Sequence, residues 1–300
     1  MTAAPRSPDR LAPDQPLPVP GAWRHPLLRL LAYLLAMGLA VGAAQPLAAD
    51  PSAPLWLSAL VLCGVVLAAY LAVSVLLEGR HHPHELSPRR CGALLSGTLL
   101  GGGLCAAVFA LCWATGLRQV HAITASGDVL LGAVVLGPVT ALMEELAFRG
   151  ALFRCAEPLL GTWGSSLLTA ALFGAAHLTN PGASWLGAAA IALEAGVALA
   201  LLYAWSRNLW LVIGVHAGWN AALYPVFGSE VSGLTLPTGS LLTSSPAGPT
   251  LLSGGAFGLE SSLFSILLWL AVSAWVLRRI RREQTVVAPC WVRRRRDAAY

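Results

Sequence analysis

Apolar residues in this chain gather into long runs, each near the ~20 residues that a helix needs to cross a bilayer, and they do not recur at the spacing of an amphipathic helix. The runs lie near 27–45, 55–77, 91–115, 129–153, 164–180, 186–205, 208–224 and 259–278, the fifth and seventh being short for full spans. They predict an all-α, polytopic transmembrane helical bundle of about eight spans over residues 27–280. Residues 1–26 are rich in Pro, Asp and Arg without periodicity and predict a disordered cytoplasmic tail; residues 281–300 predict a basic cytoplasmic tail. The long polar lead-in also favours a retained signal-anchor over a cleaved signal peptide, although small residues near Ala43 and Ala48 resemble a cleavage site.

Composition agrees with that pattern. Hydrophobic residues make up 56% of 300 positions and charged residues 11%, against roughly 25% charge in soluble domains, which excludes an ordinary soluble globule. The net charge of +5 does not point to nucleic acid, because the arginines are spread over short loops and the C-terminus. Alternate segments carry Arg6, Arg10 and Arg24, then Arg80, Arg89 and Arg90, then Arg154, then Arg207, then the tail from Arg278 to Arg296, whereas the intervening segments carry only Arg118. The positive-inside rule therefore sets both termini in the cytoplasm and makes the Ser/Gly/Pro/Thr-rich stretch Pro225 to Gly258 a flexible external loop. A stop-transfer role suffices for the C-terminal arginines, which could also meet anionic headgroups. All 19 basic residues are arginine, which with the alanine load suggests a GC-rich bacterial genome and a multi-pass protein of the plasma membrane. The six cysteines (Cys63, Cys91, Cys105, Cys112, Cys155, Cys290) lack metal-ligand spacing and read as small buried hydrophobes.

Ionisable residues at membrane depth cost roughly 2.5–3.5 kcal/mol each on insertion scales, so their presence points to function. The fourth run holds Glu144, Glu145 and Arg149, the fifth Phe173 and His177, the seventh His216 and Asn220, and the sixth Glu194 alone. Glu145 and Arg149 stand at i and i+4 with the acid N-terminal, the favoured order for an ion pair. Glu144 points about 100° away round the helix, without a local partner, and is the carboxylate free for chemistry. His216 and Asn220 share one helix face, as do Phe173 and His177. A carboxylate, two imidazoles and an amide on three helices can converge on one cavity. Taken singly, each histidine reads as an interhelical hydrogen-bonder, Glu145–Arg149 as a structural pair and Glu194 as a packing or hydrogen-bonding residue.

The ordered set EExxxR at Glu144–Arg149, FxxxH at Phe173–His177 and HxxxN at His216–Asn220 resembles the signatures of the CAAX-protease and bacteriocin-processing (CPBP, or Abi) family. The resemblance covers 134–226 and departs from the family pattern at no motif position. That family includes the type II CAAX prenyl endopeptidases and is described as intramembrane metalloprotease. The resemblance implies hydrolysis of a peptide bond in a membrane-associated protein or peptide, at or within the bilayer. Glu144 and His177 would activate a water, His216 and Asn220 would stabilise the oxyanion, and Glu145, Arg149 and Phe173 would support them. A second version makes Glu144, His177 and His216 a His₂Glu set for a divalent metal such as zinc. The chain lacks HExxH, and metal-bound and metal-free glutamate chemistry both stay open. A non-catalytic peptide-binding or scaffolding member is another reading. So is a proton-coupled transporter, against which the absence of internal repeats and of broken helices counts.

Overall fold

The computed structural model describes residues 21–50, 52–124, 127–235 and 239–297. Residues 1–20 of the predicted tail lie outside the described residues. The chain is mostly helical. In order come α1 (Pro26–Ala48), α2 (Leu55–Leu76), α3 (Gly92–Ala114), strand β1 (Arg118–Ile123), α4 (Gly127–Glu145) and a π-turn (Leu146–Phe153) leading into α5 (Arg154–Ala176). After these come α6 (Trp185–Ile191), a second π-turn (Ala192–Ala198), α7 (Leu199–Ser206), α8 (Leu209–Leu223), β2 (Leu242–Pro246), the short α9 (Thr250–Ser253), α10 (Leu263–Glu283) and α11 (Cys290–Asp297).

Long apolar helices suit a bilayer because each satisfies its own backbone hydrogen bonds where no water can. Among the described residues six helical runs are long and apolar enough to cross, and Leu209–Leu223 is a shorter apolar helix. Their outer faces are apolar: Leu39 is 74% exposed and Leu76 77%, a pattern that solvation by lipid explains and water does not. The predicted fourth crossing runs on through the first π-turn into α5, the π-turn keeping the chain helical while shifting its phase.

That run breaks at Gly161, whose φ of 71° lies in the left-handed region that glycine tolerates. The break falls between the predicted fourth and fifth crossings, 129–153 and 164–180. The gap is filled by the chain's own C-terminal segment: Thr162 N–H donates to the Val287 carbonyl (3.0 Å), and Val287 N–H to Thr162 Oγ1 (2.9 Å). Residues 284–293, read from sequence as part of a basic tail, are partly packed against α5 in this way.

The centre of the bundle is the α3–α8 contact. A Cβ on Gly101 would strike the Val215 carbonyl, and one on Gly218 the Thr98 carbonyl, so only glycine lets the two backbones approach this closely. Helix α8 also packs on α4, and Asn208 caps its start, with Oδ1 accepting from Trp210 N–H (3.1 Å).

The stretch expected to be a flexible loop is ordered wherever it is described. Strand β2 pairs antiparallel with β1, from Arg118 opposite Pro246 to Ile123 opposite Leu242. This small sheet qualifies the all-α expectation. Arg118, the exception to the arginine pattern, is buried beside it and donates to Ser244 Oγ (2.9 Å) and the Gly228 carbonyl (2.8 Å). It pins the loop. The cysteines are free; Cys105, Cys112 and Cys155 are buried as expected, whereas Cys91 is exposed.

Candidate active site

Helix α4 ends on Glu144 and Glu145, and the π-turn that follows carries Arg149. Arg149 Nη1 donates to Glu145 Oε1 at 2.8 Å, both side chains being fully buried. Arg149 Nη2 reaches the carbonyls of Ala195 and Gly196 in the second π-turn. One guanidinium thus joins the two irregular turns, and it stacks 5.3 Å from the centre of the Phe173 ring.

Phe173 is the hub of the site. Its ring lies 4.7 Å from that of His177 and 6.3 Å from that of His216. Its carbonyl accepts from His177 Nδ1 (2.7 Å), the tautomer in which Nε2 of the neutral ring is the acceptor. His216, on α8, donates from Nδ1 to Glu145 Oε1 (2.9 Å) and turns Nε2 toward Glu144 Oε2, 3.8 Å away. Glu145 therefore does more than hold Arg149. It also orients His216, a role that sequence spacing could not reveal, since the two residues are 71 positions apart. Asn220, one turn beyond His216, donates from Nδ2 to Thr140 Oγ1 (3.1 Å).

Glu144, Phe173, His177, His216 and Asn220 line one cavity of about 110 Å³, room for several waters. Glu145 and Arg149 stand behind it. The Glu144 side chain is 33% exposed, so this carboxylate is accessible while its neighbour is sealed.

Two further carboxyl groups line the same cavity. Glu194, on the second π-turn, is 2% exposed and has the Ser265 hydroxyl of α10 beside it, without a well-formed hydrogen bond to either oxygen. Glu260, just before α10, accepts from Trp219 Nε1 (3.2 Å) and from Ser232 N–H (2.6 Å) and Oγ (3.0 Å). Sequence reading passed over Glu260, yet it opens the eighth apolar run and meets the same criterion of an acid at membrane depth that drew attention to Glu194. Glu260 and Asn180, which donates to the Ser232 carbonyl (2.7 Å), draw the loop that follows α8 over the cavity.

Among the described residues no three His, Cys, Asp or Glu side chains are placed to share an ion. The ring of His216 is held between two glutamates, with Nδ1 bonded to Glu145, which does not line the cavity.

Comparison with known proteins finds residues 126–222 similar to a family described as "Type II CAAX prenyl endopeptidase Rce1-like". The matched segment runs from the start of α4 almost to the end of α8 and so contains every motif residue of the cavity wall. No curated protein and no solved structure matched the chain.

Proposed function

Because residues 126–222 form a type II CAAX prenyl endopeptidase Rce1-like domain in a multi-pass membrane protein, we propose that the chain is an intramembrane endopeptidase whose working carboxylate is Glu144. The observation that carries this reading is the contrast within the pair: Glu145 is sealed between Arg149 and His216, and Glu144 opens on the cavity beside an imidazole nitrogen.

A water held between Glu144 and His177 Nε2 gives its proton to Glu144 and attacks the scissile carbonyl carbon. The oxyanion is met by the second N–H of Asn220 Nδ2 and by His216, whose Nε2 donates once it carries a proton. Collapse of the tetrahedral intermediate breaks the C–N bond, and the leaving nitrogen takes the proton from Glu144. Glu145 acts on His216 alone: by accepting from Nδ1 it fixes the ring's direction and offsets its charge when protonated.

The substrate is a membrane-associated protein or peptide. The chain sits in the plasma membrane of a bacterial cell, with eight spans and both termini in the cytoplasm, a topology supported by the partition of arginine. Thiol labelling of intact cells should modify Ser240→Cys and spare Ser7→Cys; the reverse would overturn the orientation. The function itself is tested by comparing peptide termini across the proteomes of membranes carrying wild type or Glu144→Ala. Termini present only with wild type are expected, and identical sets would count against proteolysis. Activity lost on chelation and restored by zinc would bring back the metal-bound version.

A further inference from the structure

The cavity holds more acid than the proposed hydrolysis uses. Glu144, Glu194 and Glu260 all line it, and no arginine or lysine does, Arg149 lying behind Glu145. Glu260 is engaged by Trp219 and Ser232, but Glu194 is buried with only the Ser265 hydroxyl of α10 beside it and no well-formed hydrogen bond to either oxygen. On the same face of α10, which packs against the π-turn, the Trp269 indole N–H is also buried without a hydrogen bond. Trp269 lines the cavity and meets the Trp219 ring edge-on, with centroids 5.3 Å apart.

A buried carboxylate with one hydroxyl for company is unfavourable, and a second acid on the same wall makes it worse. A neutral amide or a water would satisfy one oxygen and leave the charge, and a proton would remove the charge and leave the second oxygen unmet. A cation would answer both, and indole faces favour cations. We propose that the Glu194 side of the cavity is a subsite for a positively charged side chain of the substrate, an ammonium or guanidinium, with Glu194 as the specificity-determining residue. The substrate class is then a membrane-associated peptide with a basic residue near the scissile bond. This rests on reading the cavity as a peptidase site. The π-turn is what serves recognition here, because the extra residue it inserts re-aims Glu194 out of the regular helical register.

The test needs no known substrate. The full chain in detergent is titrated with n-butylguanidinium and with n-butylurea, its neutral isostere, at constant ionic strength, and binding is read from tryptophan fluorescence. Wild type should bind the cation about tenfold or more tightly than the urea. Glu194→Gln should lose that preference, and Glu194→Asp, which keeps the charge, should retain it. Equal binding of the two probes by wild type overturns the proposal whatever the variants do. So does an undiminished preference in a folded Glu194→Gln protein. Glu144→Gln separates the two readings: the cation preference should persist in it even if its cleavage proves equal to wild type, a result that would sink the peptidase mechanism and not the cation site.

Discussion

Two groups of buried charge divide this molecule. In one, Arg29 on α1, Arg80 in the loop after α2 and Arg154 at the start of α5 surround Glu78 and Glu85. Tyr33 donates to Glu78 Oε2 (2.9 Å) and Tyr70 to Glu85 Oε1 (2.8 Å). Every carboxylate oxygen in that group has a partner. In the cavity the balance is reversed: Glu194 has no cation and only the Ser265 hydroxyl beside it, and Glu144 has one imidazole at 3.8 Å. Burial alone therefore does not mark chemistry. The closed group ties α1, α2 and α5 together, and the open one leaves acids facing a space that a substrate can enter.

The sharpest way to break the comparison is to remove one arginine from each group. Arg149→Ala strands Glu145 in a sealed setting and should cost about 3–5 kcal/mol, seen as a lower unfolding temperature and lower membrane abundance. It should also lower cleavage per folded molecule, because Glu145 holds His216. Arg154→Ala should cost about 3 kcal/mol, at the low end of that range because Glu78 keeps Arg29 and Arg80, and should leave cleavage per folded molecule unchanged. Equal effects of the two on catalysis would erase the distinction.

A smaller effect is expected where the cavity wall is only supported. Gly218→Ala drives a methyl into the Thr98 carbonyl and should destabilise by roughly 1–3 kcal/mol. As α8 is pushed from α3 it carries His216 and Asn220 with it, so turnover should fall along with stability. Thermal unfolding and cleavage measured on one preparation would check this.

The smallest effect concerns pH and the closed group. Burial pushes the Glu85 carboxyl up, but Arg80 and Arg154 outweigh it and hold it down at about 2. Its folded value lies below the unfolded value of roughly 4.3, so the stability it brings is present above the unfolded value and is lost as pH falls through the folded one. The unfolding temperature should drop between about pH 4 and pH 2, and that part of the drop should be absent in Glu85→Gln.

Sequence carried those features that repeat locally. The apolar runs located the helices, and the i, i+4 spacing placed Glu145 against Arg149, a contact that needs only one turn of helix. It could not carry contacts that depend on how distant helices return. Glu145 meeting His216, and Glu260 gripping Ser232 and Trp219, join segments tens of residues apart. Arg118 was counted as a stray in the charge pattern because only the folded loop supplies its acceptors. Glu78 and Glu85 fall between apolar runs, where nothing local marks them as buried, since their three arginines come from separate parts of the chain. The π-turns leave no periodic signal, so the direction of Glu194 was not legible.

The central claim is that an open carboxylate does the chemistry and closed ones hold the fold. It is tested most directly by measuring cleavage per folded molecule in Glu144→Gln beside Glu78→Gln, with folded protein quantified for each. The account predicts that Glu144→Gln loses ~10²–10⁴-fold in cleavage with little change in unfolding temperature. For Glu78→Gln it predicts clear destabilisation with cleavage per folded molecule near wild type. Full cleavage by folded Glu144→Gln protein would contradict it.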